Sequence, residues 1–341
     1  MSASLDTPNR VFEQRGSGAE LGAYVVGCAI SRTGVPGWAL GDGTLRLGAE
    51  RREIAAHEGG VLCLAADGQG FLSGGDDGRL VQVAADGTVQ ELARYGARWV
   101  EQVATFSDGK TRLRACAVGK NVHVLDGAGT LLKTLPHPSS VTGLAFDGRG
   151  KRIAASHYNG ASLWFVASKT DNPRRLEWKG SHIGVAISPD GDAVVTAMQE
   201  NALHGWRLSD GQHMRMAGYP SKTRALGFTR SGKWLASSGA EAIVLWPFFA
   251  GGPMGKPPME LAGGDSVLCT SLACNPQSDI LAAGFSDGMV VVADTTTQRI
   301  LPVIGPGHGA VSCLGWDTSG GMLIFGTETG FSGLVDFGQT R

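Results

Sequence analysis

Along most of the chain, apolar residues come in short alternating runs, and each run ends in a polar turn rich in Gly, Asp and Ser. Leu80-Val-Gln-Val83, Val122-His-Val-Leu125 and Val290-Val-Val-Ala293 are typical. A period of two predicts β-strands, because successive side chains in a strand point to opposite faces. Helical periodicity is interrupted by Gly throughout. The turns recur in register: Ile30-Ser-Arg-Thr-Gly34, Ala66-Asp-Gly-Gln-Gly70, Thr105-Phe-Ser-Asp-Gly109 and Phe146-Asp-Gly-Arg-Gly150. They continue as Ile187-Ser-Pro-Asp-Gly191, Phe228-Thr-Arg-Ser-Gly232, Cys274-Asn-Pro-Gln-Ser278 and Trp316-Asp-Thr-Ser-Gly320. Glycine closes all but the seventh, where Ser278 stands. Tight turns need a residue that accepts positive φ, which glycine does at no steric cost.

Each turn sits between a first and a second apolar run. A further turn such as Gly75-Asp-Asp-Gly78 or Ser286-Asp-Gly288 leads to a third run, and a more polar fourth run ends the unit. Four strands joined by hairpins form a small antiparallel sheet. A repeat near forty residues with four strands is the pattern of a β-propeller blade. The expected fold is therefore all-β: one propeller over residues 1–341, with eight four-stranded blades. Seven blades is the alternative, with the compact first unit around Asp42-Gly-Thr-Leu-Arg-Leu47 demoted to a loop. The last unit runs out of chain before its fourth strand, so Arg10-Val-Phe-Glu-Gln14 is expected to supply it and close the ring. Closure would protect strand edges that otherwise pair with other chains.

The repeats resemble the WD40 family over nearly the whole chain. His57 and Asp77 have the spacing of the family's structural hydrogen-bond pair. His137 with Asn159, and His308 with Thr329, occupy similar positions. Trp164, Trp206 and Trp246 end third strands, as the family's tryptophan does, although Phe165, Arg207 and Pro247 follow them instead of Asp. The resemblance implies a non-catalytic scaffold or adaptor that binds protein partners through loops on a rigid ring. It also implies that loops entering first strands share a face with loops joining second to third strands.

Composition narrows the function further. The 341 residues carry 30 Lys+Arg and 31 Asp+Glu, a net charge of −1, with no block of like charge. No basic stripe for phosphate contact is visible, so nucleic acid is not an expected partner. No apolar stretch is long enough to span a membrane. The first ten residues are polar and lack the apolar core of a secretory leader. Cys28, Cys63, Cys116, Cys269, Cys274 and Cys313 form no CxxC pair and read as reduced thiols of a cytoplasmic protein. A monomeric propeller is expected.

Catalytic strings are absent in context. Gly284-Phe-Ser-Asp-Gly288 matches GxSxG, but it lies between strands, where a nucleophile elbow needs a strand-to-helix turn. Gly227 to Lys233 matches GxxxxGK, yet Trp234 replaces the residue that would hold Mg²⁺. The expectation is thus no catalytic residue, no cofactor and no metal. The alternative is a propeller enzyme or metal carrier with its site at the central channel, where five cysteines fall on first strands. Recognition is expected from loop residues that anchor interfaces, namely Arg98, Trp99, Tyr158, Tyr219 and Phe285. Met254 joins them from the proline-rich insertion Pro247–Pro258, in which Phe248 is expected to pack inward.

Overall fold

The computed structural model describes residues 9–264 and 266–338. Apart from one short helix, Arg10–Arg15, its regular elements are strands. Strands that follow one another pair antiparallel, and the first strands of the repeat units contact one another in cyclic order. The cycle runs through Val25–Ile30, Val61–Asp67, Gln102–Ser107, Gly143–Phe146, Arg174–Ile187, Leu226–Phe228, Cys269–Cys274 and Val311–Trp316, then returns to the first. The result is a closed β-propeller.

Seven hydrogen-bonded sheets make up this ring, six of four strands and one of six. The expectation of eight four-stranded blades is corrected to seven sheets among the described residues, the number held as the alternative, although the first unit, residues 25–55, forms a four-stranded sheet and not a loop. The fourth and fifth repeat units share the six-stranded sheet, because two long strands pass from one hairpin to the next without a break. Arg152–Phe165 continues through the turn at Asn159, and Arg174–Ile187 continues from the rim of one unit to the inner strand of the next. The register shifts between Tyr158 and Gly160, and again between His182 and Gly184. Asn159 takes a positive φ of 65° there, which lets the chain bulge rather than turn away.

The ring closes at the N-terminal side, but through different residues from those expected. Arg10–Gln14 is not a strand: Arg10–Arg15 is helical. The closing strand is Gly16–Glu20, paired antiparallel with Phe331–Asp336. One helical turn brings Val11 and Phe12 together onto the last sheet, where Phe12 lies 5.9 Å from Phe325 and 6.1 Å from Phe331 between ring centroids. A Cβ on Gly16 or Gly18 would fall 2.5 Å from the Phe12 or Phe331 ring. The closing strand is therefore glycine-rich by steric need, and its Gly-Ser-Gly-Ala-Glu sequence carries little strand propensity.

The core lies between neighbouring sheets. Leu45, Phe71 and Val81 pack the first seam, and Val25, Trp38 and Ile324 pack the seam where the ring closes. Burying each such side chain stabilises by about 1.5–3 kcal/mol. Trp38 donates its indole N–H to the Phe325 carbonyl at 2.9 Å, which satisfies the polar atom of this buried ring. Between the second and third sheets the buried Asp67 carboxylate accepts from Arg112 and Arg114, both at 2.7 Å, and Arg114 also reaches Gln82. No helix is long and apolar enough to cross a membrane among the described residues.

Candidate functional site

Strand direction decides which loops share a face. Each unit runs down its first strand, up the second, down the third and up the fourth. Loops entering first strands therefore meet the turns between second and third strands at one end of the ring. Five of the six proposed recognition residues lie at this end, four of them Trp99 and Arg98 ahead of Gln102, Tyr158 beside Asn159, and Tyr219 ahead of Leu226. Phe285, at the end of its second strand, is also at this end.

The structure divides these residues sharply. Trp99 is 56% exposed and Tyr158 57% exposed, so both rings stand out of the core. Arg98 is also exposed. Tyr219 is only 8% exposed and Phe285 1%, which removes both as presented anchors. Phe285 packs among Leu281, Val291 and neighbouring apolar side chains. The Tyr219 hydroxyl accepts the Trp246 indole N–H at 2.7 Å and lies 2.5 Å from the Ser237 hydroxyl. Burial pushes the Tyr219 phenol up to about 12, so the group stays a neutral hydrogen-bonding link.

Met254 is 45% exposed on the insertion after the sixth unit's third strand. The insertion folds back on itself. Lys256 donates to the carbonyls of Phe249 and Ala250, both at 2.8 Å, and its ammonium sits 5.4 Å from the Phe249 ring centre. Phe248 packs inward against Phe228, as the sequence predicts. This insertion joins third and fourth strands, so Met254 belongs to the opposite end of the ring from Trp99 and Tyr158.

Within the second unit, His57, Asp77 and Ser73 form a bonded row. His57 Nδ1 is 3.0 Å from Asp77, and Nε2 is 2.9 Å from the Ser73 hydroxyl. The Asp77 carboxylate also accepts backbone N–H groups of Glu58 and Arg79. Burial pulls the His57 pKa down against the opposing pull of Asp77. Burial opposes ionisation of Asp77, but its hydrogen bonds with Glu58, His57 and Arg79 outweigh that and hold the carboxyl below its ordinary value. The residue types are those of a hydrolytic triad, yet Ser73 and the His57 ring are fully buried. A substrate would have to open the sheet to reach the hydroxyl, so the row acts as a clip between loop and strand.

Related clips use other partners. In the fourth unit the Trp164 indole donates to His137 Nε2 at 3.0 Å. In the fifth, His182 Nδ1 lies 2.7 Å from the Thr196 hydroxyl. The expected His137–Asn159 pair does not form, since Asn159 accepts from the Gly180 N–H. Thr329 bonds the His308 backbone carbonyl, while the His308 ring stacks on Phe331.

The inner strands carry Cys28, Cys63, Cys269, Cys274 and Cys313 as placed from sequence, all free thiols. Burial pushes Cys269 and Cys274 up to about 12, which disfavours the thiolate that binds metal or attacks carbon. No group of three His, Cys, Asp or Glu side chains placed to hold a metal occurs among the described residues.

Sequence reasoning missed one feature of the end of the ring that carries Tyr158. Beside Tyr158 opens a groove of about 780 Å³, bounded by Pro136, Pro138 and Ser139 on one side and by Arg175, Glu177 and Lys179 on the other. Trp178 stands at its edge and stacks on His204 with 3.9 Å between ring centres. The visible signal was the alternation Arg-Leu-Glu-Trp-Lys in a fourth strand, which read only as a polar rim.

Comparison with known proteins gives matches to two family models. Residues 272–341 match the anaphase-promoting complex subunit 4 WD40 domain, and residues 48–82 match the WD domain, G-beta repeat. The chain is a β-propeller whose repeats match WD40 models over part of its length. The propeller is similar to telomerase protein component 1 of Mus musculus, with 26% identity over 59% of this chain and 8% of that protein. It is similar to the small ribosomal subunit protein RACK1z of Oryza sativa subsp. japonica, with 25% identity over 34% of this chain and 35% of that protein. It is also similar to the WD repeat-containing protein slp1 of Schizosaccharomyces pombe, with 26% identity over 48% of this chain and 36% of that protein. The matched regions thus span well under two thirds of each relative. Among solved structures, the computationally designed Ika8 protein shares the fold with a TM-score of 0.75 and 20% identity, covering 93% of this chain and 97% of that one.

Proposed function

We propose that this WD40-like propeller is a non-catalytic platform for protein partners, which bind at the face carrying Trp99 and Tyr158. The observation that carries the reading is the exposure of these two aromatic rings, 56% and 57%, on one end of a ring whose other large aromatics mostly pack inward. Aromatic side chains with a neighbouring Arg are the usual anchors of interfaces, and Arg98 adjoins Trp99. Binding energy comes from burying those rings, while the rigid sheets keep the ordering cost low. Tyr219 and Phe285 support the face from inside. Met254, exposed at the opposite end, lies outside this face. The free thiols support residence in a reducing compartment such as the cytoplasm.

The test compares wild-type protein with Trp99→Ala and Tyr158→Ala in quantitative affinity capture. Phe165→Ala is the control, because Phe165 is 58% exposed at the opposite end of the ring. The reading expects the first two variants to lose partners that the control retains. Equal partner sets for all four proteins would refute it.

A further inference from the structure

We propose that the groove beside Tyr158 docks an extended peptide segment whose charges alternate acidic, basic, acidic. The inference rests on the protein-interaction reading and names the chemistry of one partner segment. Arg175, Glu177 and Lys179 line one wall of the groove. All three are exposed on the strand Arg174–Ile187. Arg175 and Glu177 stand two apart in the paired stretch and point to one side about 6.6 Å apart, and Lys179, in the bulge that follows, lines the same groove, so the wall presents plus, minus, plus in order. No ion pair engages any of the three among the described residues. Glu177 is the only acid on the wall and lies between the two cations, so a uniformly acidic segment would meet repulsion at its centre. A segment reading Glu-x-Lys-x-Glu in extended form matches the three charges in order, with its first two in register with Arg175 and Glu177.

The groove suits an extended occupant for three further reasons. The stretch Arg174–Glu177 pairs only with residues 160–163, so it is the outermost strand of its unit and offers an edge for strand addition. The opposite wall is held rigid by Pro136 and Pro138, and the Ser139 hydroxyl accepts the Tyr158 N–H at 2.9 Å. The volume of about 780 Å³ lies within the usual range for ligand clefts. Tyr158 at the mouth supplies an aromatic surface for an apolar side chain of the segment.

Fluorescence anisotropy on the full chain tests the proposal with two labelled peptides, Glu-Val-Lys-Val-Glu and Lys-Val-Glu-Val-Lys. Each carries three charges in the same spacing with opposite sign. The first is expected to bind about tenfold more tightly, with the difference shrinking at high salt. The triple variant Arg175→Glu, Glu177→Lys, Lys179→Glu is expected to invert the preference while its circular dichroism stays that of the wild type. Equal affinities, absence of binding to either peptide, or a preference that survives the reversal would overturn the proposal. If the triple variant does not fold, Glu177→Lys alone still reads the central position, where the first peptide should weaken and a Glu-Val-Glu-Val-Glu peptide should strengthen. The broader platform reading fails separately, when partner capture does not depend on Trp99 or Tyr158.

Discussion

Acid should unfold this propeller earlier than its net charge suggests, and the cause is its histidines. Burial lowers the pKa of His57, His123, His137, His157, His182 and His204. The largest effects fall on the sheet shared by the fourth and fifth units. His137 drops to about 4, through burial and then the neighbouring His157. His204 drops to about 3, through burial and then the nearby His213, His182 and Arg215. Above pH 7 the folded and unfolded chains are both neutral at these rings. As the pH falls through about 6.5, the unfolded chain binds protons that the folded chain refuses, so stability is lost until the folded pKa is reached. Each ring contributes a slope of about 1.4 kcal/mol per pH unit. By pH 4 the two together remove roughly 6 kcal/mol, comparable with the whole stability of an ordinary domain.

Urea unfolding at pH 7.5, 6 and 5 measures this slope in a window where ordinary carboxylates remain ionised. His204→Leu isolates one contribution. The buried Nδ1 of His204 has no hydrogen-bond partner, so leucine removes an unsatisfied polar atom as well as a titrating one. The variant should lose about 1.4 kcal/mol per pH unit of slope between pH 6 and 5 and should be more stable than wild type at pH 5. An unchanged slope in the variant, or a flat wild-type profile over this window, would refute the argument.

Other substitutions probe separate parts of the ring. Arg114→Met leaves Asp67 buried with Arg112 as its remaining cation and should cost about 3–5 kcal/mol by thermal or urea unfolding. Tyr219→Phe strips the acceptor from the Trp246 indole and should cost about 1–3 kcal/mol while partner capture stays unchanged. Gly78→Ala puts a Cβ 2.0 Å from the Gly96 carbonyl at a φ of 76°. It should destabilise by more than about 1 kcal/mol, read as a lowered urea midpoint. Phe12→Ala should loosen the closing strand, and size-exclusion chromatography should then show association through the exposed edge at Phe331–Asp336.

The repeats were legible because turn chemistry and alternation are local. Gly34, Gly150 and Gly320 take positive φ as the tight turns require, and no knowledge of the ring is needed to place them. The sheet count was not local. Whether Arg152–Phe165 bends or bulges at Asn159 depends on the Gly180 N–H that Asn159 accepts from across the turn. The closing strand was hidden for a similar reason: Gly16 and Gly18 are dictated by the Phe12 and Phe331 rings, and those contacts exist only once the chain ends meet.

The proposed recognition residues show the same division. Trp99 and Tyr219 sit in equivalent loops, yet one ring is exposed and the other buried. The difference lies in what stands downstream. Tyr219 is followed after 27 residues by Trp246, whose indole N–H it accepts, and His137 is followed at the same spacing by Trp164, whose indole N–H it also accepts. Tyrosine thus occupies a histidine's position because each offers an acceptor at the right height for the same indole. Trp99, three residues ahead of its first strand, has no such partner among the described residues. Residue type alone therefore marks both as anchors, whereas position within the repeat, read against the third-strand tryptophan, separates the ring that staples its own sheet from the ring left exposed.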